Sequence, residues 1–412
     1  MQSVLPKGNA IIGQSGGPTA VINQSLVGAV LALRGVTAVK KIIGMRHGVS
    51  GLVADQLVDL TRTPLKQLEA LARTPAAALG SSRDKPDPEY CARIVQACRR
   101  NNVRYFFYIG GNDSSDTCRI VNEIANAQEF YQLRCFHIPK TIDNDLVLSD
   151  HTPGFPSAAR FIATAFAADA LDNASLPGVK INVVMGRHAG FLTGAAALAR
   201  PAGRAGKDGP ASGDHGPHLI YLPEVPLDPQ RFLSDVERVY ARLGRCQVAV
   251  SEGVQTEGGQ PIVTTLAKGL DRDAHGNVQL SGVGALGDAL ADHVKKHLKN
   301  AGGKPVRVRA DTFGYLQRCW PDVSPIDARE ARGAARFAVR MAVKGELSGS
   351  VAITRAPGRV YKAAFKAVAL ADVAGKTRRM PPEFIQGHCD VSEAFVKWCR
   401  PLVGKLPEMA RL

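Results

Sequence analysis

The run Tyr105-Phe106-Phe107-Tyr108-Ile109 has no charged residue to turn toward water, and it stops on Gly110-Gly111. Side chains along a strand alternate between two faces, so five apolar residues in a row need cover on both. Such a strand belongs inside a sheet with helices on either side, which implies parallel pairing through crossover helices. The rest of the chain follows that alternation. Short apolar runs at 9–13, 135–138, 183–185, 219–222, 248–250 and 306–309 read as strands. Helical periodicity covers 20–33, 156–173, 191–199, 229–243, 283–300 and 326–344, and a further helix is expected from about Asp116, with Ser114 or Ser115 as N-cap. The fold class is therefore α/β, with doubly wound parallel sheets that present ligands at the carboxyl ends of strands. Residues 201–217, rich in Gly, Asp and Pro, read as a surface loop.

With 412 residues and 45% hydrophobic content, the chain is long enough for two or three buried cores, and whole-chain disorder is excluded. It holds no run of about 20 apolar residues that would span a membrane. Residues 1–8 lack the apolar stretch of a signal peptide, so the expected location is the cytoplasm. Eight cysteines stand without a Cys-x-x-Cys pair, six of them within apolar patterns. Buried reduced thiols are expected, rather than zinc ligands or disulfides. The formal charge is +15, and +10 of it lies from residue 301 on, with 20 Lys+Arg against 10 Asp+Glu. Arg329, Arg332, Arg336 and Arg340 recur on one helical face, but aromatics are only 6% and no reading motif accompanies them. That stripe reads as a solvated or subunit-contact face. Anionic small molecules are the expected partners, not nucleic acid and not a membrane.

Four segments fall where strands should end. Gly13-Gln-Ser-Gly16-Gly17-Pro18 joins a strand to a helix, and its glycines let backbone N–H groups approach an anion; a plain glycine turn is the alternative. Gly110-Gly111-Asn112-Asp113-Ser114 follows the most apolar strand and reads either as helix capping or as a phosphate or metal pocket. Pro139-Lys140-Thr141-Ile142-Asp143-Asn144-Asp145 carries three acceptors and a lysine. There Asp143 can take a proton from an attacking hydroxyl, and Lys140 can neutralise a phosphate. Met185-Gly186-Arg187-His188-Ala189-Gly190 offers Arg187 to a phosphate or carboxylate, with His188 read as locally satisfied rather than catalytic.

Taken in this order and spacing, these segments resemble the phosphofructokinase family, from about Ile11 to Arg318. The resemblance implies two doubly wound α/β domains with the active site in the cleft between them. It divides the chain into a donor-binding domain over 1–155, completed by about 320–375, and a sugar-phosphate domain over 156–319, completed by about 376–412. It also implies Mg²⁺ as cofactor and phosphorylation of fructose 6-phosphate on its 1-hydroxyl. Residue by residue, Gly16, Gly17, Gly111 and Ser114 match donor contacts, and Arg83 matches a contact to the migrating phosphoryl group. Thr141 matches a sugar contact and Asp143 the proton acceptor. Met185, Gly186, Arg187, Arg309, Tyr315 and Arg318 match sugar-phosphate contacts, and Glu224 a carboxylate that holds sugar hydroxyls. The counterpart of Arg309 can serve a neighbouring subunit, which implies a homodimer or homotetramer.

Two positions bear on the donor. Members using ATP resemble Gly-Gly-Asp-Gly-Ser and Pro-Gly-Thr-Ile-Asp-Asn-Asp, whereas this chain has Asp113 and Lys140 in place of the two variable glycines. A carboxylate at Asp113 would repel the α-phosphate of a nucleotide, while Lys140 would serve a smaller anhydride. In the resemblance this pair marks pyrophosphate-dependent members. An ATP-dependent kinase of the same fold and a catalytically silent sugar-phosphate sensor are the alternatives. Asn112 stands where many members have an aspartate near the metal. An arginine common before the Met-Gly-Arg segment is absent, with Lys180 nearby.

Overall fold

The computed structural model describes residues 5–127, 131–201, 215–266, 284–300 and 303–410. Most of the expected loop over 201–217, residues 1–4 and the first residue of the expected helix over 283–300 lie outside them. The chain divides into two units: Met1–Ser157 with Arg318–Arg378, and Ala158–Gln317 with Arg379–Leu412.

In the first unit lie β1 (Gly8–Gln14), β2 (Val39–Met45), β3 (Leu57–Asp59), β4 (Val103–Gly110) and β5 (Arg134–Pro139). The second unit supplies β6 (Val179–Val184), β7 (Leu219–Tyr221), β8 (Cys246–Ser251) and β9 (Val308–Thr312). The chain then returns to the first for β10 (Ser348–Arg355) and β11 (Ala363–Val368). Among the described residues the first unit forms a sheet in the order β11-β10-β5-β4-β1-β2-β3, and the second a sheet β7-β8-β6-β9. Pairing is parallel throughout the second sheet and in the centre of the first, with β3 and β11 as antiparallel edges.

β4 shows why the apolar run is diagnostic. Tyr105, Phe107 and Ile109 pack into one core with the helices Ile22–Leu33 and Pro325–Val343, while Phe106 and Tyr108 pack into another with Pro88–Arg100 and Asn112–Asn126. Both faces are covered, as the period of two requires. In the second unit Val179, Ile181 and Val183 of β6 face an apolar core. The intervening Lys180 and Asn182 meet Asp169 of the helix Phe155–Ser175, at 2.6 and 2.8 Å.

Ser114 and Ser115 do not cap their helix. It begins at Asn112 with Gly111 as the flanking residue, because the chain turns into the helix directly at the end of β4. Ser115 Oγ instead bonds back to Asn112 O at 2.7 Å. Of the arginine face, Arg329, Arg336 and Arg340 are exposed, but Arg332 makes a forked pair with Glu69 at 2.9 and 2.8 Å within the same unit. Six cysteines are buried, Cys319 and Cys389 are half-buried, and all eight are reduced thiols outside any disulfide. Among the described residues no helix is long and apolar enough to cross a membrane.

Gly28 marks the closest approach between the helix after β1 and the helix Pro325–Val343: a Cβ there would lie 2.6 Å from Arg332 O and 3.1 Å from its Cα. Helix propensity alone would make Gly28→Ala stabilising by about 1 kcal/mol. Backbone cannot yield as a side chain can, so the contact should win. The expected result is a loss of about 1–3 kcal/mol in urea unfolding, and a gain would show that the helices separate freely.

Candidate active site

Register brings three loops of the first unit to one edge. In the parallel ladder Gln14 pairs with Ile109, and Gly110 with Pro139, so β1, β4 and β5 end side by side. The Gly16–Gly17 turn, the Gly110–Gly111 turn and Lys140 emerge there. Gly16 has φ +73°, a conformation that L side chains rarely adopt. Its N–H donates to Ser82 O at 2.8 Å and its carbonyl accepts from Ser81 Oγ at 2.6 Å, which ties in the segment leading to the exposed Arg83.

Lys140 is the centre of this group. It is 3% exposed, and its Nζ donates to Gly17 O at 2.7 Å. A Cβ on Gly16 would lie 3.2 Å from that Nζ, and one on Gly17 would lie 2.9 Å from Nη1 of Arg318. Burial pushes the ammonium down to about 8, against the attraction of Asp143 and Asp145 and with the repulsion of Arg318 and Arg83. The Lys140 ammonium and the Arg318 guanidinium thus meet at a glycine turn, with the Arg83 charge acting on Lys140, an arrangement suited to a compact polyanion.

Asp143 and Asp145 lie on the loop after β5, both partly buried. Asp143 N–H donates to Thr141 Oγ1 at 3.1 Å. Asp145 is pushed upward by burial, opposed by hydrogen bonds from its own backbone, Thr141 and Asn112 and by the charge of Lys140. Asn112 Nδ2 donates to Asp145 Oδ2 at 2.9 Å, while Asn112 Oδ1 is buried without a hydrogen-bond partner among the described residues. Mg²⁺ takes oxygen ligands, so a lone amide oxygen beside a carboxylate fits it. Asp145 belongs to the segment that sequence reasoning picked out, yet received no role there; three acceptors in five residues were the available signal. Asp113 is in the helix's first turn, exposed, and 3.1 Å from Lys85 Nζ. Ser114 is buried one residue on, and Gly111 N-caps the helix, whose amide end favours anions.

The second unit assembles a different group. Ser251 Oγ donates to Gly186 O at 2.8 Å, and Gln317 Oε1 accepts from Met185 N–H at 3.1 Å, fixing the turn after β6. Arg187 is exposed and reaches the buried Glu252 at 3.6 Å; His188 is exposed beside it. Glu224 accepts from Gly190 N–H and Met380 N–H through one oxygen, at 2.9 Å each. Its other oxygen is buried without a hydrogen-bond partner among the described residues, and burial pushes the carboxyl upward. A carboxylate oxygen kept in reserve suits a hydroxyl-bearing ligand. Tyr315 is exposed, two residues before the buried Gln317.

Arg318, expected with the sugar-phosphate contacts, lies in the first unit against Gly17. Arg309 pairs with Lys180 in the ladder, at the far end of β6 from Met185. Five residues of strand separate those positions by about 16 Å. Lys180 does not stand in for the missing arginine. Its ammonium is held by Asp169 and Asp172 within its own unit.

The profile of the phosphofructokinase family matches residues 9–342, and the chain belongs to that family. It is 54% identical over 410 residues to a pyrophosphate–fructose 6-phosphate 1-phosphotransferase of Rhodospirillum rubrum, covering 98% of this chain and 97% of that one. A protein of the same description from Halomonas elongata is 36% identical over 425 residues, with 98% and 96% coverage. The crystal structure of a pyrophosphate-dependent phosphofructokinase from Nitrosospira multiformis matches with a TM-score of 0.82 at 30% identity, covering 98% and 94% of the two chains.

The burial of Lys140 has a measurable sign. The unfolded lysine titrates near 10.5 and the folded one at about 8. Below about pH 8 both states hold the proton and the fold bears the full desolvation cost; the cost fades as pH rises toward 10.5. Lys140→Met should therefore raise stability near pH 7 by about 1–3 kcal/mol in urea unfolding, with the gain vanishing above pH 10.5. Unchanged or lower stability at pH 7 would mean that the charge is well compensated in the fold.

Proposed function

We propose that this chain transfers the terminal phosphoryl group of pyrophosphate to the 1-hydroxyl of D-fructose 6-phosphate, reversibly, yielding fructose 1,6-bisphosphate and phosphate. The observation that carries this reading is the buried Lys140 ammonium seated in the Gly16–Gly17 turn with Arg318 at its side. A cation there meets a two-phosphate donor without a nucleotide. The pyrophosphate-dependent relatives, similar along nearly the whole chain, support the same donor.

In the proposed reaction the sugar's 1-oxygen attacks the distal phosphorus as the bridging P–O bond breaks, and phosphate departs. Asp143 accepts the proton lost by the hydroxyl, held by the Thr141 bond to its backbone. Lys140, Arg83 and Arg318 neutralise the phosphates, with backbone groups of Gly16, Gly17 and Gly111 and the Ser114 hydroxyl on the donor. Asn112 and Asp145 are the residues that would hold Mg²⁺, which when bound supplies counter-charge to pyrophosphate. Asp113, paired with Lys85, is assigned to disfavour the extra phosphate of a nucleotide. Arg187 receives the sugar's 6-phosphate on the Met185–Gly186 turn, with Tyr315 two residues before the Gln317 that holds Met185, and Glu224 accepts from sugar hydroxyls. Arg309, far along the sheet from that turn, is assigned to the 6-phosphate bound by a neighbouring copy, so the working form is a homodimer or homotetramer in the cytoplasm.

Initial rates with pyrophosphate and with ATP, on fructose 6-phosphate and in both directions, test the donor. Pyrophosphate should win by at least about a hundredfold in kcat/KM, or roughly 3 kcal/mol; an ATP preference refutes the reading. Asp143→Ser should lower kcat by about 10³-fold with sugar binding little changed. Near-normal turnover would remove Asp143 as the proton acceptor. Sugar-phosphate binding with no turnover in the unaltered chain would favour the silent sensor.

A further inference from the structure

The loop between β5 and the helix Phe155–Ser175 carries Asp143 and Asp145, yet it has little regular structure of its own. Two of its non-glycine residues, Asn144 at φ +58° and Leu148 at φ +63°, lie in the left-handed region that side chains disfavour. A stretch of this kind keeps one conformation only if its surroundings impose it. Its base is closed by Thr141 N–H to Pro153 O at 3.1 Å and Thr152 Oγ1 to Thr141 O at 2.8 Å. Asp327 then fixes its exit, accepting from Gly154 N–H at 2.9 Å and Ser157 N–H at 3.0 Å.

The middle is gripped by one side chain from more than two hundred residues away. Arg378 donates through Nε to Asn144 O at 2.8 Å, through Nη1 to Ser149 O, and through Nη2 to Asp150 O at 2.8 Å. Its backbone N–H donates to Asp145 O at 2.8 Å, and Thr377 bridges to Leu146. The guanidinium therefore joins the two arms of the loop, with Asp145 held between its side-chain and main-chain bonds. A guanidinium meets the three spread carbonyls with three separate nitrogens held in one plane, whereas the three donors of a lysine ammonium all sit on one atom at the end of a loose stem. Burial pushes Arg378 down to about 10, with Asp150 and Asp145 favouring its charged form.

We propose that Arg378 is a positioning residue, whose guanidinium imposes the loop geometry that aims Asp143 and Asp145. The role in turnover rests on the phosphoryl-transfer reading above; the role in ordering the loop does not. Arg378→Lys keeps stem and charge but cannot span the carbonyls. In the full chain it should lower kcat about a hundredfold while KM for pyrophosphate and for fructose 6-phosphate stays within about threefold. Amide hydrogen exchange over residues 142–150 should quicken by about tenfold or more, with β4 and β5 unaltered. In Arg378→Ala, added guanidinium chloride at low millimolar concentration should restore part of the turnover; if that variant does not fold, Arg378→Lys carries the test alone. Unaltered exchange over 142–150 overturns the proposal, and so does a uniform loss of protection across the first unit, which marks a merely structural residue. If the wild-type chain shows no pyrophosphate-dependent turnover, the functional reading falls while the exchange measurement still decides whether Arg378 orders the loop.

Discussion

A lysine ammonium in the protein interior, bonded to the carbonyl of Gly17, is the interaction around which the strand-end loops of the first unit are arranged. Water is a far better solvent for that charge, so the fold must hold it there by construction. The construction is the sheet. Parallel pairing ends β1, β4 and β5 at one level, and the Lys140 N–H bonds to Gly110 O at 2.9 Å, which fixes where its side chain starts. Neighbouring His137 is buried and bonded to Gly110 O at 2.9 Å and Ser350 Oγ at 2.8 Å. Burial pushes it down to about 4, so it adds no further positive charge near Lys140 at neutral pH.

The second unit handles polarity in another way. Asp169 gathers Lys180, Asn182 and the Gln247 amide N–H between a helix and the strands β6 and β8, so that one half-buried carboxylate is met by three donors. Glu224 keeps one buried carboxylate oxygen without a hydrogen-bond partner among the described residues.

The two-faced burial of β4 could be read from its residues, because five apolar side chains admit no other environment. The positions of the glycine turns and of the Lys140–Asp145 segment at strand ends were legible for a similar reason: glycines and clustered polar residues interrupt the apolar runs of β1, β4 and β5. The outer strands were not. β11, at one edge, is half-buried along most of its length and carries Lys366 among alanines, and β2, next to the other edge, has exposed Lys40 and Lys41 after Val39, so neither shows an apolar pattern that decides between strand and loop. Arg378 gave no signal at all, because its partners are main-chain carbonyls brought near by folding, and a carbonyl has no residue type. The sites of Arg318 and Lys180 depend on tertiary neighbours in the same way.

The most direct measurement is the titration of the Lys140 ammonium by NMR, with the chain alone, with pyrophosphate and with ATP. The expected result is a pKa near 8 in the free chain, below the ordinary 10.5, rising when pyrophosphate binds and scarcely moved by ATP. A titration near 10.5 in the free chain, or one indifferent to pyrophosphate, would contradict a buried cation made for that donor.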